Sequence, residues 1–300
     1  MSAKVVLKDF LSQAPIDKLK ATLSGHLPVS CITMDAKITS LQPGYHFLFF
    51  SLASPESNLN SDGYESLYSP KPNNPFSFKR RIWLHGVLRF HRPLHLFQTS
   101  ECHELIQEES VKSPSITKEV EACLPKSSFL TKPTSEKQTK HVYIRRKIYD
   151  SQHQLCIEED RTLAYLNRQE LAIPKTLRSK SIPQHSWVFT PTPIMVFRYS
   201  ALMFNAHMIH WNATYATKSE NYPNLVLPGP LLVTSMLEYF RSVYPQMSKN
   251  MKRFEFRLLS PAFVNQPLRI CISETGNLWI DRFTTDLDPP SLIARGRVYT

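Results

Sequence analysis

The sequence predicts an α+β fold in which an antiparallel sheet wraps one buried helix, with the arrangement occurring twice along the chain. Two observations carry this expectation. A segment opened by Pro230 and running to about Tyr244 is apolar on nearly every side, through Leu231, Leu232, Val233, Met236, Leu237, Phe240 and Val243. A helix that is hydrophobic all round must be buried. Four stretches of strand character follow closely, Phe254 to Leu259, Leu268 to Glu274, Leu278 to Phe283 and Ile293 to Val298, and a buried helix with a strand meander folds as a sheet packed on that helix.

The earlier elements are less regular. Residues 6 to 22 read as opening helical material, with Leu7, Phe10, Leu11, Ile16 and Leu19 near helical spacing and Pro15 dividing it into two short helices. Pro28 to Phe50 is strand-and-loop material ending in an aromatic run, and residues 53 to 78, rich in Ser, Asn and Pro, read as a long loop. Arg81 to Phe90, Pro93 to Glu109 and His141 to Tyr149 have the β-branched, alternating character of strands. Between the last two, residues 111 to 140 are Ser/Thr/Lys/Glu/Pro-rich and read as a mobile insertion. One more short strand lies around Cys156-Ile157 and Leu163 to Leu166, and Met195 to Ala201 reads as a strand leading into a loop studded with His and Asn. The expected organisation is therefore a degenerate first unit over 1–160, a polar connection over 161–184, and a clearer second unit over 185–300. A sheet wrapped on a helix in this way is the hotdog arrangement, here in double form.

Composition bounds the function. With 42% hydrophobic and 20% charged residues the chain can bury a core. No run approaches 18 consecutive apolar residues, so no membrane-spanning helix is expected. Five scattered cysteines form no C-x-x-C pair, which favours free thiols in a reducing compartment over zinc or redox motifs. The formal charge of +11 is dispersed apart from groups such as Lys79-Arg80-Arg81 and Arg145-Arg146-Lys147. No nucleic-acid module surrounds either group, so nucleic acid is not an expected partner. The lysines near the N-terminus are interrupted by Asp9 and Asp17 with no Arg before Arg80, a weak presequence pattern.

The densest polar cluster is Asn205-Ala206-His207-Met208-Ile209-His210. The segment Arg198 to His210 resembles the active-site segment of MaoC-like (R)-specific hydratases, most closely the fungal mitochondrial 3-hydroxyacyl-thioester dehydratases of type II fatty acid synthesis. Tyr222 to Leu231 looks like that family's turn into the central helix, and Arg80 to Gly86 with Leu88 to Leu94 resembles its first-half segment. The resemblance implies reversible removal of water from a 3-hydroxyacyl thioester carried by coenzyme A or acyl carrier protein, in mitochondria. It implies no metal or redox cofactor, and a homodimer is compatible with it.

This chemistry needs a base for the C2 proton, an acid for the C3 hydroxyl, and dipoles for an enolate-like thioester oxygen. The broader family shares the proton work between an Asp and a His five residues later. His210 matches the His, but Asn205 stands at the Asp position, and an amide carries no proton. The resemblance therefore assigns proton transfer to His210 and orientation of the water or hydroxyl to Asn205. His207 is a further candidate, for proton transfer or for shaping the turn. Gly229, before Pro230 at the helix start, leaves backbone N–H groups open for the thioester oxygen, or caps the helix by close backbone approach. Pro228 replaces the His usual in this turn. Arg80, Arg81 and Arg89 are candidates for contacts with carrier phosphates, or for a solvated basic face. No Asn-x-His-x-x-His recurs in the first half, which predicts one active site per chain with the first half walling in the acyl tunnel. Rival readings are a hydratase of branched short-chain coenzyme A esters of the mesaconyl or itaconyl type, and a degenerate hotdog that binds acyl chains without turnover.

Overall fold

Residues Ser2–Phe10 form a strand, β1, rather than the expected helix. Burial alternates residue by residue from Ala3 to Phe10, a period of two that suits a strand. Pro15 does not divide a helix but occupies the first turn of α1, Ala14–Leu23, where its missing N–H costs nothing. The computed structural model describes residues 2–28, 38–70, 80–108, 139–166, 177, 182–283 and 290–300. Most of the 111–140 insertion lies outside them.

The remaining strands are β2 (Arg80–Phe90), β3 (Thr99–Glu108), β4 (Thr139–Tyr149), β5 (Leu155–Leu166), β6 (His185–Phe189), β7 (Arg253–Leu258), β8 (Leu268–Ile272), β9 (Asn277–Arg282) and β10 (Leu292–Tyr299). Residues 161–166, placed in the connection although Leu163 to Leu166 had strand character, continue β5 as a single strand paired with both β2 and β4. All ten join one sheet in the order β1-β3-β4-β5-β2-β7-β10-β9-β8-β6. The second five strands repeat the order of the first five about a seam where β2 pairs with β7, from His85↔Arg257 to Arg89↔Arg253. This is a double hotdog.

Three more helices belong to the second half: α2 (Pro193–Leu202), α3 (Gly229–Val243) and α4 (Pro245–Lys249). α2 replaces the strand expected at Met195 to Ala201. Its run of Ile, Met, Val and Phe is ambiguous between strand and helix. Thr192 decides locally, its hydroxyl accepting the Met195 N–H at 3.2 Å just ahead of Pro193. Met195, Val196, Tyr199 and Ser200 then share one buried helical face, and α2 packs on α1.

α3 runs through the core against β8 and β9. Between α1 and β2 the described residues contain no helix of comparable length. A 3-10 turn at Tyr45–Leu48, wholly buried, docks there behind Gly44, whose φ is +93°. Beside this turn the first half buries an ionic layer. Arg146 contacts Glu104 at 2.7 Å and Glu159 at 3.3 Å, Arg161 contacts Glu159 at 2.5 Å, and His46 lies 3.4 Å from Glu159. Burial alone would raise the Glu159 carboxyl, but Arg161, His46 and Arg146 hold it far below the usual carboxylate range. Taking charges out of water is compensated only by such close pairing.

The seam is packed by glycine under aromatic rings. Gly86 in β2 faces Phe256 in β7, and a Cβ there would collide with the Phe256 ring, lying 2.7 Å from its Cε1. Gly86→Ala is expected to destabilise the protein by about 1–3 kcal/mol through overpacking, measured as a lowered urea midpoint at unchanged m-value.

Candidate active site

α2 delivers the chain into the His loop. Phe204 turns it with φ +52°, and the Asn205 N–H donates to the Ser200 carbonyl at 2.9 Å. Asn205 Oδ1 then accepts the His207 N–H at 3.1 Å, an Asx turn of the kind short polar side chains favour. The carbonyl side of Asn205 thus shapes the loop, and its NH₂ group is the part of the side chain able to donate to a ligand. Met208–His210 closes the loop as a 3-10 turn.

His210 is buried at 6% exposure, and its Nδ1 lies 2.8 Å from the Val226 carbonyl oxygen. A carbonyl only accepts, so Nδ1 carries the hydrogen and Nε2 keeps its lone pair. The Val226 N–H returns a bond to the Ile209 carbonyl at 3.0 Å. These two bonds tie the His loop to the segment that runs three residues on into Gly229 and α3. Burial depresses His210 well below the ordinary histidine value, against the Val226 bond that raises it, and a positive charge on His207 would depress it further. It is therefore a neutral base at pH 7.

Gly229 begins α3, and no side chain caps this end. Pro230 has no N–H, and the Leu231 and Leu232 N–H groups donate to the Pro228 carbonyl at 3.0 and 3.4 Å. The several open donors expected here therefore reduce to the Gly229 N–H at the positive pole of the helix. A Cβ on Gly229 would sit 2.6 Å from Leu258 Cδ1 and 2.7 Å from Trp83 Cε3. Only glycine lets β2 and β7 approach the helix start so closely.

His207, 1% exposed, is gripped from the first half of the chain. Its Nδ1 lies 3.0 Å from an Arg81 guanidinium nitrogen, and its Nε2 lies 3.3 Å from Asp62 Oδ2 and 3.8 Å from Glu220 Oε1. The Asp62 carbonyl accepts the Met208 N–H at 2.8 Å. Burial would raise the Asp62 carboxyl, but His207, the Tyr64 N–H and Arg81 together outweigh it and lower it to about 2. The His207 and His210 rings meet edge to face with centroids 5.4 Å apart.

Asp62 and Glu220 were not among the expected site residues. Asp62-Gly63 signals a turn, but nothing in that loop indicates a partner 145 positions away. The first half is thus more than a wall: it supplies charged groups to the second half's loop.

The three arginines separate. Arg80 is buried and bonded to Glu220 through both carboxylate and carbonyl oxygens, with Tyr222 stacked 4.6 Å away. So paired, it has no reach to a carrier phosphate. Arg81 faces the site. Arg89 pairs with Asp160 at 2.7 Å, in a shallow groove shared with His85, Tyr143 and Arg145. The separation has a local cause: a register shift between Trp83 and His85 keeps Arg81 and Trp83 on the inner face and turns His85, Val87 and Arg89 outward. His85 is therefore a strand residue away from the site, held down at about 4 by burial and Arg257.

Comparison with known proteins identifies the family and the fold. The family described as hydroxyacyl-thioester dehydratase type 2 matches residues 44–264. Mesaconyl-C(4)-CoA hydratase of Chloroflexus aurantiacus is 30% identical over 241 residues, 79% of this chain and 76% of that one. The mitochondrial hydroxyacyl-thioester dehydratase type 2 of Saccharomyces cerevisiae is 27% identical over 275 residues, 89% of this chain and 88% of that one. Among solved structures, a MaoC-like dehydratase from Phytophthora capsici superposes with TM-score 0.64 at 12% identity, over 100% of this chain and 95% of that one. A Mycobacterium tuberculosis protein described as a double hotdog superposes with TM-score 0.52 at 11% identity, over 99% and 94% of the two chains. With the family match spanning well over half its length, the chain belongs to the hydroxyacyl-thioester dehydratase type 2 family and is a hydro-lyase of acyl thioesters.

Proposed function

We propose that the chain interconverts (3R)-3-hydroxyacyl and trans-2-enoyl thioesters in mitochondrial fatty acid synthesis, with His210 as the sole proton carrier. The observation that carries this reading is the His210 tautomer: with Nδ1–H donated to Val226, Nε2 is a buried, neutral base. In hydration, Nε2 takes a proton from water as its oxygen bonds to C3. The C2–C3 π electrons move onto C2 and the thioester oxygen, which the Gly229 N–H stabilises as the partial charge grows. Nε2–H then delivers the same proton to C2, which restores neutral His210. Asn205 holds the water through its NH₂ group. The Val226 carbonyl stabilises the transient imidazolium by accepting a charge-assisted bond.

Since burial lowers His210, activity is expected to stay level from alkaline pH down through the ordinary histidine range near 6.5 and to fall only well below it, as a kcat profile would show. The yeast relative supports the mitochondrial assignment, and the net charge of +11 suits an acidic acyl carrier protein. A second reading, hydration of a branched C4–C5 coenzyme A ester, is supported by the 30% identical Chloroflexus hydratase.

The test is hydration of crotonyl-CoA, trans-2-decenoyl-CoA and mesaconyl-C4-CoA, followed by ultraviolet loss of the enoyl thioester. Turnover of the straight-chain pair upholds the first reading. Turnover of the mesaconyl ester alone replaces it with the second. Binding of all three without turnover would leave an acyl-binding hotdog.

A further inference from the structure

Groups from the first half of the chain close on His207 and fix which of its nitrogens carries hydrogen. A guanidinium only donates, so His207 Nδ1, 3.0 Å from Arg81, is an acceptor. The hydrogen therefore sits on Nε2, which faces Asp62 Oδ2 at 3.3 Å and Glu220 Oε1 at 3.8 Å. The Tyr64 ring lies 3.0 Å from the Arg81 guanidinium carbon and 5.9 Å from the His207 ring, and so holds the arginine in place. Arg80, bonded to Glu220, Tyr215 and Tyr222 beside Glu220, and His210 are further charged or titratable neighbours among the described residues.

We propose that Arg81 and Asp62 are positioning residues that hold His207 as the neutral Nε2–H imidazole, and that this neutrality lets His210 take up a proton in turnover. The inference rests on His210 being the proton carrier. A second imidazolium with its ring centroid 5.4 Å from His210 would oppose that uptake at short range in a buried site. With Arg81 removed, Nδ1 is free to accept a proton, and Asp62 and Glu220 stabilise the resulting cation. Asp62 acts as an acceptor for Nε2–H and moves no proton itself. An amide at this position keeps the acceptor and should keep the function.

The experiment uses the full chain with crotonyl-CoA, measuring kcat from about pH 5.5 to 9 for wild type, Arg81→Leu, Asp62→Asn and Asp62→Ala. Nitrogen NMR of labelled histidines in wild type and Arg81→Leu follows the His207 state directly. In wild type His207 should stay neutral with hydrogen on Nε2. In Arg81→Leu it should gain a proton as pH falls, and the acid limb of kcat should rise by about one pH unit or more. Asp62→Asn should remain within about threefold of wild type while Asp62→Ala loses about tenfold or more. An Arg81→Leu profile lowered in height but unchanged in shape, or a charged His207 in wild type, would overturn the proposal. So would Asp62→Asn as crippled as Asp62→Ala, which would make Asp62 a proton carrier. Arg81→Met replaces Arg81→Leu if the latter does not fold. Absence of turnover in wild type would sink the hydratase reading, and the NMR arm would still decide the His207 state by itself.

Discussion

His210→Ala should lower kcat for enoyl-thioester hydration by about 10²–10⁴-fold, the usual contribution of a positioned acid–base group. The loss is large because no second proton carrier stands ready among the described residues beside His210. Asn205 is an amide, and both His207 nitrogens are engaged, one by Arg81 and one toward Asp62. The fold should survive, since the side chain makes a single polar contact, to the Val226 carbonyl, worth about 1 kcal/mol. Circular dichroism and thermal melting provide that control. A variant that keeps a tenth of wild-type activity would move proton transfer away from His210.

Gly63→Ala should rank next. Gly63 has φ +80°, a region costly for residues with a Cβ, and a Cβ there would overlap the Ala206 carbonyl oxygen and lie 3.1 Å from its carbon. Both partners are backbone, so no side chain can swing aside. The 60–64 turn must separate from the His loop, breaking the Asp62 carbonyl bond to the Met208 N–H and the Asp62–His207 contact. Strain and overpacking of this kind cost about 1–3 kcal/mol of stability. The effect on rate should be larger, about 10²-fold in kcat, because a displacement near 1 Å at a catalytic loop costs that much. Steady-state kinetics beside a denaturation curve separates the two. A normal kcat in a destabilised protein would show that the turn supports the fold and not the loop.

These expectations draw unequally on sequence and structure. The His loop and the turn at Gly229 were singled out because each is a short local motif, with Asn205 and His210 five positions apart and Gly229 at the start of a strongly apolar helix. The strands after α3 were legible for the same local reason. Asp62 was not, since it lies in a Ser- and Asn-rich loop without periodicity and meets its partner only through the tertiary fold. Charge identified Arg80, Arg81 and Arg89 as a group but could not show that the register shift after Trp83 sends Arg81 and Arg89 to opposite faces. α2 was misread because four consecutive apolar residues fit either period, and the deciding Thr192 cap is a single hydroxyl. β1 was misread because its apolar residues also lie near helical spacing, and only pairing with β3 fixes the extended form.

The seam between β2 and β7 joins residues roughly 170 positions apart. Every other pairing in the sheet lies within one half of the chain. Closing so long a loop adds little to the equilibrium cost, which grows only with the logarithm of length, but such distant contacts form slowly. Both halves can therefore complete their own strand arrays before they meet. A chain at that stage would be rich in β-structure yet catalytically silent, because Asp62 and Arg81 would still be detached from His207. In such an order of assembly competence arrives with the seam, after the strands themselves.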